Sequence, residues 1–90
     1  MATLIEIKTV LAENKTSEAI EMLSEYIRLN PKDDEAYFII GNIYRKFNDW
    51  RKAMNAYCQA IELNPNSPAK EAYNQAKEIL DFYHHDLYNP

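Results

Sequence analysis

Two short stretches of this 90-residue chain carry side chains that could do chemistry, one a thiol and the other a group of imidazoles. Cys58 is the one cysteine, and a thiolate acts as a nucleophile where its surroundings lower the pKa. His84, His85 and Asp86 are residue types that bind zinc. Neighbouring residues on a helix point apart, however, and no second cysteine or third histidine completes a zinc site. We therefore expect Cys58 to be a packed side chain and the histidines to be solvated.

Three glutamates and one tryptophan are the other side chains to consider for a chemical role. Glu18, Glu21 and Glu25 fall on one side of a predicted helix, a spacing typical of a solvated outer face. Trp50 follows a predicted turn, where an aromatic ring commonly closes the end of a helix pair. Neither group pairs a nucleophile with a base. We predict that the chain is not an enzyme and has no catalytic residues, no cofactor and no metal; the rival hypothesis is a zinc-dependent or thiol enzyme.

The composition excludes several classes of protein. One glycine is too few for the glycine spacing of a dinucleotide-binding or P-loop motif, and helix-forming residues dominate, which argues against a β-sandwich or barrel. The net charge of -4, without a basic stripe, argues against nucleic acid and membrane as partners. The lone cysteine, and the lack of a signal peptide or of an apolar stretch of about 20 residues, predict a cytoplasmic protein.

One segment of the chain repeats after 34 residues. Both copies end in Leu-Asn-Pro, at Pro31 and at Pro65, and both contain matched apolar positions such as Ala19 and Ala53. A fixed period with matched apolar positions indicates stacked packing units. We predict a single domain over residues 1–90, with repeat one at about 1–33, repeat two at 34–67, and a capping helix with a tail at 68–90.

Each repeat is predicted to contain two helices, helix A and helix B. In repeat two, Asp33 and Asp34 are expected to cap the start of helix A. Asn48 tolerates a left-handed backbone and Asp49 can cap a helix, so these two residues predict a turn into helix B, at about 50–63.

Capping patterns also predict where the other helices begin. Thr3 with Glu6 forms a capping box that starts helix A of repeat one at about residue 4, and Thr16 or Ser17 is expected to cap its helix B. A fifth helix is expected to follow Ser67, with the next residue, a proline, at its first position. The tail over residues 83–90 is expected to fray or to fold back through its aromatic side chains.

Repeat two carries eight positions that together form a known signature. They are Tyr37, Ile40, Gly41, Tyr44, Ala53, Tyr57, Ala60 and Pro65. Their order of large, small and aromatic residues resembles the tetratricopeptide repeat (TPR), a helix-turn-helix unit of 34 residues. The resemblance implies an all-α fold of five antiparallel helices in a short right-handed superhelix. The small positions let helix axes approach closely, while the large ones and Trp50 fill the space between them.

The match is looser at both ends of the chain. In repeat one, Thr3, Glu6 and Ile7 stand where the family has an aromatic residue, a leucine and a glycine, which predicts a rotated helix A. The fifth helix matches only with one inserted residue, which places Ala76 on a small position and Ile79 on an aromatic one. It resembles the helix that caps many TPR arrays.

The resemblance also implies a partner-binding groove on the concave surface lined by the A helices. The helical period turns one face of each A helix toward it. The predicted groove residues are Phe38, Ile39, Asn42, Arg45, Lys46, Leu4, Ile5, Lys8, Tyr73 and Lys77. Phe38 and Ile39 form an apolar spot beside an amide and two cations, a mixture that suits an extended peptide or a helix of acidic character. The alternative is that the protein itself covers both side chains.

Some TPR domains hold a partner's C-terminal carboxylate with a clamp of lysines and asparagines. The corresponding positions here are Leu4, Lys8, Ile39, Ala69 and Tyr73. The clamp is therefore absent. We predict a protein-interaction module, a scaffold or adaptor that binds a peptide or partner helix. The alternative is a self-associating homo-oligomer that uses Leu4, Ile5 and the tyrosine-rich tail, since repeat arrays generally need about three units.

Overall fold

Five helices follow one another along the part of the chain that the computed structural model describes, the backbone of residues 3–88 and the side chains of residues 3–80. They are α1 (Leu4–Ala12), α2 (Thr16–Leu29), α3 (Asp34–Lys46), α4 (Trp50–Leu63) and α5 (Ala69–Tyr88). Consecutive helices pack against each other, and α3 with α4 forms the most extensive pair. The all-α array of two helix pairs and a fifth helix is therefore confirmed.

Short polar side chains begin four of these helices. Thr3, Asp33, Asp49 and Ser67 each accept a hydrogen bond, at 3.1–3.3 Å, from a backbone N–H two or three residues later. Each bond satisfies one of the N–H groups that a helix start leaves without an internal partner. The caps predicted for α1, α3 and α4 are confirmed, and α5 begins at Ala69, one residue later than predicted.

The start of α2 differs from the prediction. Thr16 is already the first helical residue and Lys15 occupies the N-cap position, where no side chain accepts a hydrogen bond. The prediction that Thr16 or Ser17 caps α2 is therefore wrong. The preceding turn leads directly into α2, because Asn14 has a φ of 63°, the same value as Asn48 in the turn before α4. Asparagine adopts this left-handed conformation more readily than most residues.

The first core lies between α1, α2 and α3. It consists of Ile7, Ala19, Leu23, Ala36, Ile39, Ile40, Ile43 and Ala56. Ile7 is fully buried there, at the position that Gly41 occupies one repeat later. Leu4 and Leu11 pack against the same core, whereas Glu6 is exposed where its counterpart Ile40 is buried, so the rotation of α1 stays a prediction.

The second core lies between α3, α4 and α5. It consists of Ala53, Tyr57, Ala60, Ala69, Ala72 and Ala76. Tyr37, Tyr44 and Trp50 are half-buried beside it, Gly41 is buried, and Pro65 is exposed in the turn. The alanines let α5 approach α4 closely.

The buried alanines of α5 resemble part of the buried face of α3. Ala69, Ala72 and Ala76 face the second core with the spacing by which Ala36, Ile39 and Ile43 of α3 face the first. The predicted alignment of Ala76 with Gly41, both of which are buried, stays a prediction.

The tail predicted to fray or fold back begins as helix. The backbone of α5 remains helical to Tyr88, while the side chains of residues 81–90 lie outside the described part of the chain. The packing of the tail aromatics and the solvation of the two histidines therefore stay predictions. Within the described residues, no helix combines the length and the apolar character needed to cross a bilayer.

Candidate partner-binding groove

A pocket of about 340 Å³ opens between α1, α3 and the start of α5. It is lined by Lys8, Asp34, Glu35, Phe38, Ile39, Ser67 and Pro68. The lining combines apolar Phe38, Ile39 and Pro68 with the charged side chains of Lys8, Asp34 and Glu35. Three of the predicted groove residues, Lys8, Phe38 and Ile39, therefore meet at one place.

Phe38 and Ile39 differ in how far they are covered. Phe38 is half-buried and its ring lies 6.1 Å from that of Tyr57, so it packs on the second core while one side faces the pocket. Ile39 is only 8% exposed, because repeat one packs over it in the first core. The prediction that both form an exposed spot is wrong for Ile39, which belongs to the floor of the pocket.

An ion pair joins α1 to α3 across the pocket rim. Lys8 Nζ lies 2.9 Å from Glu35 Oε1, and both side chains are about half-exposed, at 52% and 47%. A pair as exposed as this contributes little to stability, about 0–1 kcal/mol. Its charges can therefore change partners at low cost.

The edge of the groove formed by α5 includes a residue that was not predicted. The Tyr73 ring is half-buried against the second core, as the Phe38 ring is, and its place in the groove stays a prediction. Gln75 faces α3, where its Oε1 accepts a hydrogen bond from Arg45 Nη1 at 3.3 Å. Lys77 is exposed, but it lies two residues from Gln75 and therefore on the other flank of α5. That flank, with Lys70 and Asn74, forms a polar end to the array.

Polar side chains of α3 continue the groove beyond the pocket. Asn42 is exposed, and its Oδ1 accepts a 2.6 Å hydrogen bond from the Tyr57 hydroxyl. Arg45 is half-buried, with its guanidinium 5.6 Å from the centre of the Trp50 ring. Burial raises the pKa of Tyr57 above its usual 10.0, and the nearby Arg45 guanidinium opposes part of that shift. Lys46 is exposed at the end of α3.

The two apolar residues predicted at the start of α1 lie in different surroundings. Leu4 packs against the first core. Ile5 is 76% exposed and is the most exposed of the large apolar side chains described, ahead of Phe47 at 56%. Ile5 therefore lies beside the groove as a free apolar side chain, whereas Leu4 supports α1 from within.

The residues first considered for chemistry do not form a site in the described part of the chain. Cys58 is a free thiol, and it is exposed on α4 where packing had been expected. Among the described side chains, no three histidines, cysteines or carboxylates lie close enough together to hold a metal. Glu25 forms an ion pair with Arg28, which lowers the pKa of the carboxyl through a hydrogen bond.

Sequence reasoning left five residues out of the groove, namely Asp34 and Glu35 at the start of α3 together with Ser67, Pro68 and Gln75. Ser67 and Pro68 form the pocket wall, and Gln75 forms the α5 edge. The signal for Gln75 was present in the chain: Ala69, Ala72 and Ala76 mark the buried face of α5, and Gln75 lies on its flank. Ser67 and Pro68 carried no such signal, since a turn's position depends on how the repeats stack.

Comparison with known proteins identifies the family that this fold resembles. A tetratricopeptide repeat family model matches residues 34–67, which are the residues assigned to repeat two. The solution NMR structure of a Bacteroides fragilis protein resembles the chain with 44% identity and a TM-score of 0.82, covering 99% of this chain and 91% of that one.

Two further relatives are much longer than this chain, and the similarity covers only a small part of each. One, from Schizosaccharomyces pombe, is named "Probable assembly chaperone of rpl4" and is 29% identical over 75 residues, 82% of this chain. The other is the UDP-N-acetylglucosamine–peptide N-acetylglucosaminyltransferase of Giardia intestinalis, 41% identical over 56 residues, 62% of this chain. The chain spans 22% of the first relative and 4% of the second.

The helix pairs and the concave groove define a helical-repeat scaffold for protein interactions. The chain belongs to the tetratricopeptide repeat family.

Proposed function

We propose that the groove formed by α1, α3 and the start of α5 binds a peptide segment of a partner protein, and that the chain serves as a scaffold or adaptor. The pocket over Phe38 and Ile39 carries this proposal. Its 340 Å³ is near the lower end of the range of about 300–1,000 Å³ found for ligand pockets. A pocket of this size suits one large apolar side chain of the partner.

The charges beside the pocket favour a partner with acidic residues. Lys8 is already paired with Glu35, whereas the ion pairs formed among the described residues include neither Arg45 nor Lys46. A carboxylate placed near these two cations gains Coulomb energy without breaking a pair. The affinity for an acidic segment should therefore fall as salt is added.

The ends of the array and a relative support a role in binding. The outward flank of α5 is polar, with Lys70, Asn74 and Lys77 exposed, as expected where a repeat array stops. A similar protein is named "Probable assembly chaperone of rpl4", and that name supports a role in binding other proteins. The free thiol of Cys58 fits a reducing setting, and we include the cytoplasm in the proposal.

A phenylalanine inside the groove and one outside it provide the test. Phe38→Asp places a charge in the pocket, while Phe47→Asp makes the same change at an exposed side chain that does not line it. Peptides selected from a random 12-residue phage library on the wild-type chain should lose binding to Phe38→Asp and keep it with Phe47→Asp. Fluorescence anisotropy measures the affinities.

A second pocket variant controls for loss of folding in Phe38→Asp. Phe38 contacts the second core, so its replacement lowers stability and thermal melts by circular dichroism must accompany the binding data. Pro68→Glu changes the exposed wall of the pocket without touching either core. If both pocket variants bind the selected peptides as tightly as the wild type, the proposal is wrong.

Self-association is the second candidate function, and the exposure of Ile5 favours it. An aliphatic side chain that is 76% exposed at the start of the array is a natural contact for another copy. Light scattering over a concentration series should then show a dimer or larger species that Ile5→Glu abolishes. A wild-type monomer at every concentration removes this candidate.

A further inference from the structure

The structure contains one example of a helix seated on the N-terminal side of a repeat. α2 packs against repeat two, and Ile27 of α2 shares a crease with Ile40 of α3 and Asn55 of α4. Repeat one covers Ile39 and Ile43 there, which are 8% and 2% exposed. The N-terminal side of repeat two is therefore a surface on which a helix docks.

The two repeats keep the same register in the structure. Ala19 and Leu23 of α2 are fully buried, as are Ala53 and Tyr57 one period of 34 residues later in α4. Ile7 of α1 is fully buried as well, and its counterpart on α3 is a buried glycine. The residues on the N-terminal side of repeat one can therefore be found from those of repeat two.

In the part of the chain that the structure describes, no helix lies on the N-terminal side of repeat one, which we call the end face. Ile5 occupies the position of Ile39 and is 76% exposed. Met22 occupies the position of Ala56 and is half-buried. The end face thus offers an aliphatic side chain and an adaptable thioether to a helix.

The charges around the end face have one sign. Three exposed glutamates surround it, Glu6 on α1 and both Glu18 and Glu21 on α2, and all three correspond to residues of the crease beside α2. The ion pairs formed among the described residues include none of them. Glu18 and Glu21 are three residues apart on one helix, so their charges repel each other. A cation placed here gains Coulomb energy without breaking a pair.

We propose that the end face binds an amphipathic helix of a partner protein, with apolar residues on one side and lysines or arginines flanking them. The partner helix takes the place on repeat one that α2 takes on repeat two. The inference goes beyond the proposed groove binding, because neither Ile5 nor the three glutamates line the pocket.

A second copy of the chain matches the end face less well. A two-fold dimer through Ile5 sets the glutamates of both copies against each other. A head-to-tail contact brings up Lys70 and Lys77 of α5, but Glu71 and Glu78 are exposed beside them. A basic partner helix avoids both conflicts.

Two matched peptides test the helix and its charge. Each has about 18 residues, enough for an isolated helix to form, with leucines spaced i, i+3, i+7. Lysines flank the leucines in one peptide and glutamates in the other. Fluorescence anisotropy should show that the wild type binds only the lysine peptide, and less tightly as salt is added. Equal binding of both peptides, or binding of neither, overturns the inference.

The apolar contact is tested at Ile5. Ile5→Glu should weaken binding of the lysine peptide about tenfold or more, the effect of losing one buried aliphatic side chain. Phe47→Glu is the matched control, because it makes the same change at another exposed apolar side chain, away from the end face. Both variants should melt like the wild type. If they bind the peptide equally well, the end face is not the site.

The charges are tested by reversal. Glu18→Lys with Glu21→Lys should weaken binding of the lysine peptide about tenfold and allow the glutamate peptide to bind. Glu71→Lys with Glu78→Lys changes the net charge equally at the other end of the array and should have little effect. An equal loss in this control shows that only the net charge attracts the peptide, which contradicts the inference.

Two further outcomes separate the end face from the other surfaces. In NMR spectra, the lysine peptide should shift backbone amide resonances of α1 and α2. Shifts confined to pocket residues such as Phe38 and Ser67 place the peptide in the groove, so that the inference is wrong while groove binding stands. A wild-type dimer that Ile5→Glu abolishes assigns the end face to a second copy and also overturns the inference.

Discussion

Repeat one and repeat two fill one interhelical position in opposite ways. In repeat two, a Cβ added to Gly41 would lie 2.6 Å from the Tyr57 ring, so the glycine leaves room for the tyrosine. The same positions one period earlier hold Ile7 and Leu23, both fully buried in the first core. The smallest residue faces a large one in repeat two, and two residues of middle size share the space in repeat one.

The difference shows that the tyrosine that fills the core of repeat two also brings a hydroxyl group to the groove. The Tyr57 ring occupies the space above Gly41, and its hydroxyl reaches Asn42 on the concave face. Leu23 fills the corresponding space in the first core but has no polar group that could reach the groove. The counterpart of Asn42 in repeat one is Lys8, which is held by the half-exposed ion pair with Glu35. The groove side chain of repeat two is therefore held by a buried partner, whereas the one of repeat one is held by an exposed ion pair that can exchange partners.

The largest expected effect comes from enlarging Gly41. Gly41→Leu must push the side chain into the Tyr57 ring and toward the Ala53 carbonyl, which lies 3.3 Å from an ideal Cβ. Overpacking typically costs about 1–3 kcal/mol, and this contact includes backbone, so we expect the free energy of unfolding to fall by more than that range. Urea unfolding followed by circular dichroism measures the change. An unchanged midpoint would show that the glycine is not needed here.

Transplanting the repeat-one pair into repeat two tests the comparison directly. Gly41→Ile with Tyr57→Leu gives α3 and α4 the residues of α1 and α2, so we expect the double variant to recover most of the stability that Gly41→Ile alone loses. The coupling should exceed about 1 kcal/mol, as for residues in direct contact. Simple addition of the two single effects contradicts the comparison.

Truncation in the first core is expected to have a smaller effect. Leu23→Ala leaves a cavity, and burial losses of this kind cost about 2–5 kcal/mol. The half-buried Met22 and Val10 beside it can shift into part of the space, so we expect a value near the lower end of the range. Unfolding in urea gives the loss. A midpoint equal to that of the wild type would contradict the tight packing of Leu23 in the first core.

The helices were predictable because their determinants are local. The cap residues Thr3, Asp33 and Asp49 and the turn at Asn48 act within a few residues of their own position, and the structure has them as predicted. Gly41 was recognisable for a related reason. A lone glycine inside a helical pattern indicates a close approach, and Tyr57 makes it.

The groove was harder to predict because its surface depends on how repeats stack. Ile39 carried the spacing of a groove residue, yet repeat one covers it in the first core. Gln75 was not among the predicted groove residues, yet it lies beside Arg45 at the α5 edge. Distances between helices that are far apart in sequence decide both outcomes: a local pattern marks the flank of α5 on which Gln75 lies, but not the residue of α3 that it meets.

The smallest expected effect is a loss of stability at alkaline pH, which again distinguishes Tyr57 from Leu23. Burial raises the pKa of Tyr57 above 10.0, so the folded state holds the phenolic proton to higher pH than the unfolded chain does. The stability contributed by this group is fully present below the pKa of the unfolded tyrosine and is lost as the pH rises through the folded one. Unfolding in urea from about pH 8 to about pH 11 should show the decline.

Tyr26 provides the control within repeat one. Its pKa is also raised, chiefly because its hydroxyl donates a 2.6 Å hydrogen bond to Asp33, so its contribution has the same sign. Tyr57→Phe should therefore remove one part of the alkaline decline and Tyr26→Phe another, with little coupling between them because the two residues lie in different repeats. If Tyr57→Phe leaves the decline as steep as in the wild type, the hydroxyl of Tyr57 is not protected from ionisation by its burial. The polar end of that side chain would then be in contact with solvent at the groove, and the hydrogen bond that it donates to Asn42 would lose its support.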